Sequence, residues 1–290
     1  MASNIIVIFL YVSIFQISLF NIAFGQGYVN NAHSHNDYLN KEPLAAALKN
    51  NFKSIEVDIF LSKTKLYVGH NRLQLKKGRT IETLYLDPLW ELFLSNNGHI
   101  YENNIPLYLL VDIKTSAIET YSTLQKVLDN YEPMLSYVES DSLISRAVTI
   151  IISGNKPGII NLKTIKKRNV FIDGRFSDIG QHISNKLIPL ISSNWKENFK
   201  WDGVGLFPEN ELILLKSFIQ KVHSENKEIR FWGSPDNKIS WEIMTSAGVD
   251  LINTDKVYDY IDFKSDYPKK RLINSKLCSA HLFSKVLICG

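Results

Sequence analysis

The sequence predicts an α/β fold, a TIM-type (β/α)8 barrel with its active site at the C-terminal mouth. Three observations carry that prediction. Eight short runs rich in branched and aromatic residues recur along the chain, and helix-period segments lie between them. That alternation builds parallel βαβ units. The chain has 290 residues, and those beyond an apolar N-terminal stretch of 25 suffice for one large barrel. Two of the runs also alternate an apolar face with a carboxylate-bearing one, which suits a strand with helices on one side and a polar mouth on the other. A doubly wound open sheet is the main rival, but it gives no reason for eight units.

The first strand is expected over Tyr28–His33 and runs into His33-Ser34-His35. The Ala-rich segment Pro43–Asn50 reads as a helix. The second strand, Lys53–Phe60, contains Ser54-Ile55-Glu56-Val57-Asp58-Ile59, so Glu56 and Asp58 share one face and the branched residues the other. From Ile59 to His70 there is no room for a crossover helix. A two-residue turn at Lys63-Thr64 would pair Ser62 with Lys65, so that partner numbers sum to 127 and His70 falls opposite Val57, beside Glu56 and Asp58. Leu84–Ser95 has helical spacing, the third strand is expected over Pro106–Lys114, and Ala117–Leu128 is helical again. In the third strand Asp112 and Lys114 share a face. The remaining strands are expected at Ala147–Ser153, Asn169–Asp173, Ile188–Asn194, Ile229–Gly233 and Val249–Asn253, with a helix over Glu209–Ser224.

Glu56, Asp58 and Asp112 come from neighbouring strands and offer hard oxygen ligands, which select one divalent cation, Mg2+ or Ca2+. Lys114 adds a cation where a phosphate oxygen would sit. His33 and His70 are then available as general base and general acid, a contribution of typically ~10²–10⁴-fold. The combined reading is a metal-dependent phosphoric diester hydrolase. A lone strand-end carboxylate is more often a cap or a surface ion pair, but three on adjacent inward faces reverse that preference. Asp173 with Arg175 reads equally as a structural ion pair or a substrate contact. Trp232, on a face with Arg230 and Ser234, reads equally as a pocket wall or as packing. His99, His182, His223 and His281 fall in helices or loops and read as surface residues.

Two other readings stay open. The His33-Ser34-His35 motif also begins the zinc site of metal-dependent amidohydrolases, which need further histidines on later strands. Here the fifth strand ends in Asp173 and the sixth in Ser192-Ser193-Asn194-Trp195. A barrel that binds a headgroup or sugar phosphate without turnover would need the lysine and the metal but not two histidines.

The first 25 residues lack charged side chains, and Ile5 to Ala23 is mostly apolar with polar interruptions. Ala23-Phe24-Gly25 places small residues before Gln26, as at a secretory cleavage site, so export is expected; an uncleaved N-terminal membrane anchor is the alternative. The expected organisation is a signal peptide over 1–25, a barrel over 26–262 and a basic tail over 263–290. The formal net charge is +4, from 33 basic and 29 acidic residues. The end is locally basic, at Lys264, Lys269, Lys270, Arg271, Lys276 and Lys285, which suits a solvated tail better than a nucleic-acid surface. Both cysteines, Cys278 and Cys289, lie there, and spacing alone leaves a disulfide between them open.

Taken together, these motifs resemble the phosphatidylinositol-phospholipase-C-like phosphodiesterase superfamily, which includes glycerophosphodiester phosphodiesterases and sphingomyelinases D. Ala32-His33 resembles the first catalytic histidine, Glu56-Val57-Asp58 the metal pair, and Val68-Gly69-His70 the second histidine. Val111-Asp112-Ile113-Lys114 resembles the third metal carboxylate with its lysine. Trp232 and Gly248–Asp255 resemble the closing elements. His33-Ser34-His35-Asn36-Asp37-Tyr38 resembles the "altered inheritance of mitochondria protein six"-like branch. It departs from the His-Arg-Gly pattern of glycerophosphodiesterases, which leaves no arginine beside the first histidine and makes His35 and Asn36 candidates to hold phosphate. The resemblance implies a phosphodiester substrate, a phospholipid or its headgroup among the candidates, with peripheral membrane contact and no nucleic-acid partner. Attack in that superfamily often comes from a neighbouring substrate hydroxyl and gives a cyclic phosphate.

Overall fold

Strict two-residue alternation sets the sheet. In the computed structural model, which describes residues 30–102 and 104–266, eight parallel strands form a nearly closed barrel. They are β1 (Asn30–Ser34), β2 (Phe52–Ser62), β3 (Leu107–Ile113), β4 (Val148–Gly154), β5 (Val170–Gly174), β6 (Leu190–Asn194), β7 (Glu228–Trp232) and β8 (Ile252–Thr254). Their order is β7-β6-β5-β4-β3-β2-β1-β8, and one parallel bridge from Arg230 to Leu251 brings the two ends together. The expected barrel is therefore present, and its strands fall on the eight predicted runs.

The outward faces of β2 and β3 (Ile55, Val57, Ile59, Leu109, Val111 and Ile113) are buried in the main core between barrel and helices. That core also takes the inner faces of α1 (Ala45–Lys49), α2 (Asp87–Ser95), α3 (Ala117–Leu128) and α6 (Glu209–His223). Between α3 and α6 lie two short helices, α4 (Ile159–Lys163) and α5 (Trp195–Asn198). The first residues of the predicted 84–95 helix belong to a π-helical turn, Glu82–Leu86, that leads directly into α2. An unpredicted helix, α7 (Lys238–Ala247), starts where the Asn237 side chain accepts from the Ser240 N–H and stops at Gly248, whose φ is 99°. A last helix runs over 257–266, past the boundary expected at 262.

Inside the barrel the strands switch character along their length. Leu110, Ile151, Phe171 and Leu190 of β3 to β6 pack with Leu251 as an apolar floor, to which Val138 also belongs. Two residues further along each strand the inward position is Asp112, Ser153, Asp173 or Ser192, because inward positions recur every second residue. The polar layer thus rests on a dry base and opens upward. Val138 comes from a three-stranded antiparallel sheet (Tyr137–Glu139, Ser142–Ile144 and Lys167–Arg168) that the sequence reading did not anticipate.

The hairpin after β2 forms in the expected register. Lys65–Val68 pairs antiparallel with β2 from Ser62↔Lys65 to Ile59↔Val68, with partner numbers summing to 127. The ladder ends there: Gly69 N–H donates to the Asp58 carbonyl at 3.3 Å, and the chain then bends. His70 consequently approaches the Asp58 carboxylate and does not pair across from Val57. The predicted signal or anchor segment, both cysteines and all of the basic tail except 263–266 lie outside the described residues. Among the described residues no helix is long and apolar enough to cross a membrane.

Candidate active site

Parallel register places Asp58 of β2 beside Asp112 of β3, and Glu56 points inward one step below Asp58. One oxygen from each of the three carboxylates lies within 4.8 Å of the others. Asp58 Oδ1 and Asp112 Oδ1 are buried without a hydrogen-bond partner, a costly state for carboxylate oxygens. Burial raises both carboxyls above their ordinary range; the Lys114 ammonium pulls the other way, and nearby carboxylates add to the rise. Lys114 Nζ sits 3.2 Å from Asp58 Oδ2 and 2.9 Å from Asp112 Oδ2. Three hard oxygen donors, two of them orphaned, fit a divalent cation. No histidine joins this group, so a zinc site built on His33-Ser34-His35 finds no support among the described residues.

Beneath the carboxylates lies a contact the sequence did not reveal. Arg230 is buried at the inward position of β7, with Nη1 2.6 Å from Glu56 Oε2 and 2.6 Å from His33 Nε2. Its Nε donates to Ser192 Oγ at 3.1 Å, and Nη2 lies 3.9 Å from Asp173 Oδ2. His33 is 0 % exposed, with Nδ1 2.7 Å from Ser54 Oγ and Nε2 2.8 Å from Glu56 Oε2. Burial and the Arg230 charge lower its pKa to about 4, so the ring is neutral near pH 7. Burial alone would raise Glu56, but Arg230 and the His33 hydrogen bond overcome it and hold this carboxyl well below the usual range. The only hint in the sequence was a charged residue between two apolar strand neighbours, Ile229 and Phe231.

His35 approaches Glu56 from the other side. Its Nε2 is 3.8 Å from Glu56 Oε1, and its Nδ1 is 2.8 Å from Asp255 Oδ1. Burial opposes protonation of His35, but the Asp255 hydrogen bond and the charges of Glu56 and Asp255 outweigh it and raise its pKa. The two histidines of the motif therefore do share one side, as their spacing required. Asn36 contacts the His35 ring and accepts from Tyr38 OH at 2.8 Å; the same hydroxyl lies 2.8 Å from Asp58 Oδ2. His70 Nδ1 stands 3.3 Å from Asp58 Oδ2, and its side chain is 57 % exposed at the mouth. Tyr38 and Asp255 are site residues that the sequence reading did not single out.

Arg175 Nη1 lies 2.8 Å from Asp173 Oδ2, so this pair forms an ion pair at the edge of the polar layer. Trp232 ends β7 partly exposed at the mouth, away from the carboxylates' hydrogen bonds. His99 is half-buried, His182 is exposed, and His223 binds Asp250 at 2.7 Å on the outside. His281 lies outside the described residues.

Fold and mouth together define a (β/α)8 barrel whose C-terminal mouth gathers three carboxylates. The structure is similar to a calcium-dependent phosphoinositol-specific phospholipase C from a Pseudomonas species, with a TM-score of 0.55 at 13% identity over 78% of this chain and 88% of that one. The chain belongs to the AIM6-like phosphodiesterase domain family, whose model matches residues 28–173. That span carries His33, His35, Glu56, Asp58, His70, Asp112 and Lys114, whereas Arg230, Trp232 and Asp255 lie beyond it. Among curated proteins it is similar to "Altered inheritance of mitochondria protein 6" of Eremothecium gossypii, 27% identical over 77% of this chain and 66% of that protein. It is also similar to the homologue from Arthroderma benhamiae, 26% identical over 78% of this chain and 81% of that one. The chain thus spans just under two thirds of the first relative.

Proposed function

We propose that this chain is a phosphodiesterase that hydrolyses a phosphoric diester, a phospholipid or its headgroup being the favoured substrate class. The observation that carries this reading is the pair of orphaned oxygens, Asp58 Oδ1 and Asp112 Oδ1, at a mouth that also holds Lys114 and His70. Glu56, Asp58 and Asp112 would hold one Mg2+ or Ca2+. Bound there, the ion supplies positive charge toward a phosphate oxygen and relieves the repulsion between the carboxylates.

The protein's own groups do the rest. Lys114, no longer needed between Asp58 and Asp112, binds a non-bridging phosphate oxygen. His70, steadied through Nδ1 by Asp58, exchanges a proton with the substrate at Nε2. The attacking group is water or a neighbouring substrate hydroxyl, and a second histidine must take its proton. The sequence reading gives that task to His33, which is neutral as a base must be. One observation favours His35 instead: both ring nitrogens of His33 are engaged below the mouth, while His35 is partly exposed and oriented by Asp255. With a cation held at Glu56, the carboxylate charge that raises the His35 pKa would be offset, which favours the neutral ring a base needs. In that arrangement His33 and Arg230 fix Glu56, and Asn36 helps to fix His35.

The test is hydrolysis of bis-(p-nitrophenyl) phosphate and of lysophospholipids with Mg2+, Ca2+ or EDTA. Loss of about 10²-fold or more in kcat for His70→Ala, and for one of His33→Ala and His35→Ala, is expected. Turnover that survives EDTA and Asp58→Asn together would overturn the mechanism. Metal-dependent headgroup binding with no product would make the chain a binding barrel. The N-terminal stretch would export this activity, which N-terminal sequencing of secreted protein checks by finding Gln26 first.

A further inference from the structure

Exposed apolar side chains are not spread evenly over this barrel. Among the described residues, four large ones are three-quarters or more exposed: Leu73 at 96%, Ile160 at 79%, Val204 at 75% and Leu206 at 96%. All four lie in connections that leave the C-terminal ends of strands, namely those after β2, β4 and β6. Among the described residues, the connections entering the N-terminal ends of strands carry none so exposed. Leu39, after β1, and Trp232, at the end of β7, add partly exposed apolar surface to the same rim. Leu73 follows His70 by three residues, so this rim encircles the proposed site.

Charge divides in the same way. The segment 71–79 carries Arg72, Lys76, Lys77 and Arg79 and no acidic residue. The segment 155–163, which leaves the C-terminal end of β4, carries Lys156 and Lys163 and no acidic residue. Lys76, Lys77 and Lys163 are exposed. Two of the three loops with an apolar tip are therefore purely basic.

From this juxtaposition we infer that the barrel mouth docks on an anionic lipid surface, with Leu73, Ile160, Val204 and Leu206 entering the bilayer boundary and the flanking lysines resting on acidic headgroups. A protein partner would select a contiguous, closely packed patch. Here the side chains project from the separate loops that follow alternate strands, and a fluid surface accepts separated anchors of that kind. Apolar insertion and basic attraction add together at such an interface. The inference deepens the proposed function, because it would present the site directly to membrane-held phosphodiesters, but the docking itself requires no turnover.

The experiment uses the full chain with phosphatidylcholine vesicles, with and without phosphatidylserine, and reads both sedimentation and hydrogen exchange. Expected is tighter binding to the serine-lipid vesicles, with slowed exchange confined to residues 71–79, 155–163 and 199–207. Lys76→Gln with Lys77→Gln should weaken that binding about thirtyfold, at roughly fivefold per lysine. Leu73→Ser and Leu206→Ser should each weaken it roughly tenfold, with hydrolysis of soluble bis-(p-nitrophenyl) phosphate unchanged. Both leucines are almost fully exposed, so neither change threatens the fold. Vesicle binding with unprotected loops, as attachment through the N-terminal stretch alone would give, overturns the inference. So do equal affinities for all variants, or loop protection that follows protein concentration without lipid, which would mark contact between copies. Normal docking by a protein inactive on every phosphodiester would fail the proposed function and leave the docking standing.

Discussion

Gly154 ends β4 beside Asp112 of the carboxylate trio, one residue beyond it toward the mouth, and changing it to alanine isolates the packing that shapes the site. Its φ is 64°, and a Cβ built there would lie 1.9 Å from Asp112 Oδ1 and 2.6 Å from the Ile113 carbonyl oxygen. The left-handed backbone costs a residue with a side chain roughly 1–2 kcal/mol, and forced overpacking adds typically 1–3 kcal/mol. A total of about 3 kcal/mol lowers the melting temperature by roughly 6–12 °C in a domain of this size. Relief of the collision requires Asp112 to turn away, so divalent-cation affinity should fall about 10–100-fold, as when a ligand's support is removed. Gly78→Ala is the matched control. Its φ is 85°, but nothing lies within 4 Å of the added methyl, so it retains the backbone cost and leaves the cation site alone. Thermal unfolding in EDTA and calorimetric titration with Mg2+ or Ca2+ read the two terms separately. Equal melting temperatures and equal affinities for the two variants would refute the reasoning.

Three further outcomes follow from the buried layer. The folded His33 pKa of about 4 lies below the ordinary 6.5, so the folded state binds fewer protons in between; stability is complete above about pH 6.5 and declines by about 3 kcal/mol as pH falls toward 4. Urea midpoints should show that decline flattened in His33→Gln, and an unchanged slope would contradict it. Arg230→Met leaves the buried Glu56 without its cation, while Asp173 keeps Arg175, and should cost about 3–5 kcal/mol, with Arg230→Lys recovering part; equal unfolding curves for both variants and the parent would exclude a role in holding the layer. Divalent cation at about a hundred times its dissociation constant should stabilise the parent by about 2.7 kcal/mol, a gain that thermal shift should find missing in Asp58→Asn.

Much of the site was legible because it is built from short-range geometry. Glu56 and Asp58 had to share a face, and Asp112 with Lys114 had to repeat the pattern on another strand. A two-residue turn at Lys63-Thr64 fixed the hairpin register, whose continuation brings His70 to Asp58. Where the expectation slipped, the cause was local: pairing stopped at Val68, and the bend after Gly69, not a cross-strand position, delivers the histidine. The antiparallel sheet around Val138 was missed because its strands are only two or three residues long, too short to establish a period.

Alternation and spacing, which are properties of neighbouring residues, were enough for the sequence alone to determine the eight strands, the inward carboxylates and the two histidines of one motif on one side. Barrel closure decided what no local pattern contains. It brought Arg230 to His33 across 197 positions of chain, set Asp255 behind His35, and left His33 buried while His35 stayed at the mouth. It also gathered apolar tips and lysines from separate loops onto one rim. Those pairings depend on which strands meet when the sheet curls shut, and curvature is a property of the whole ring.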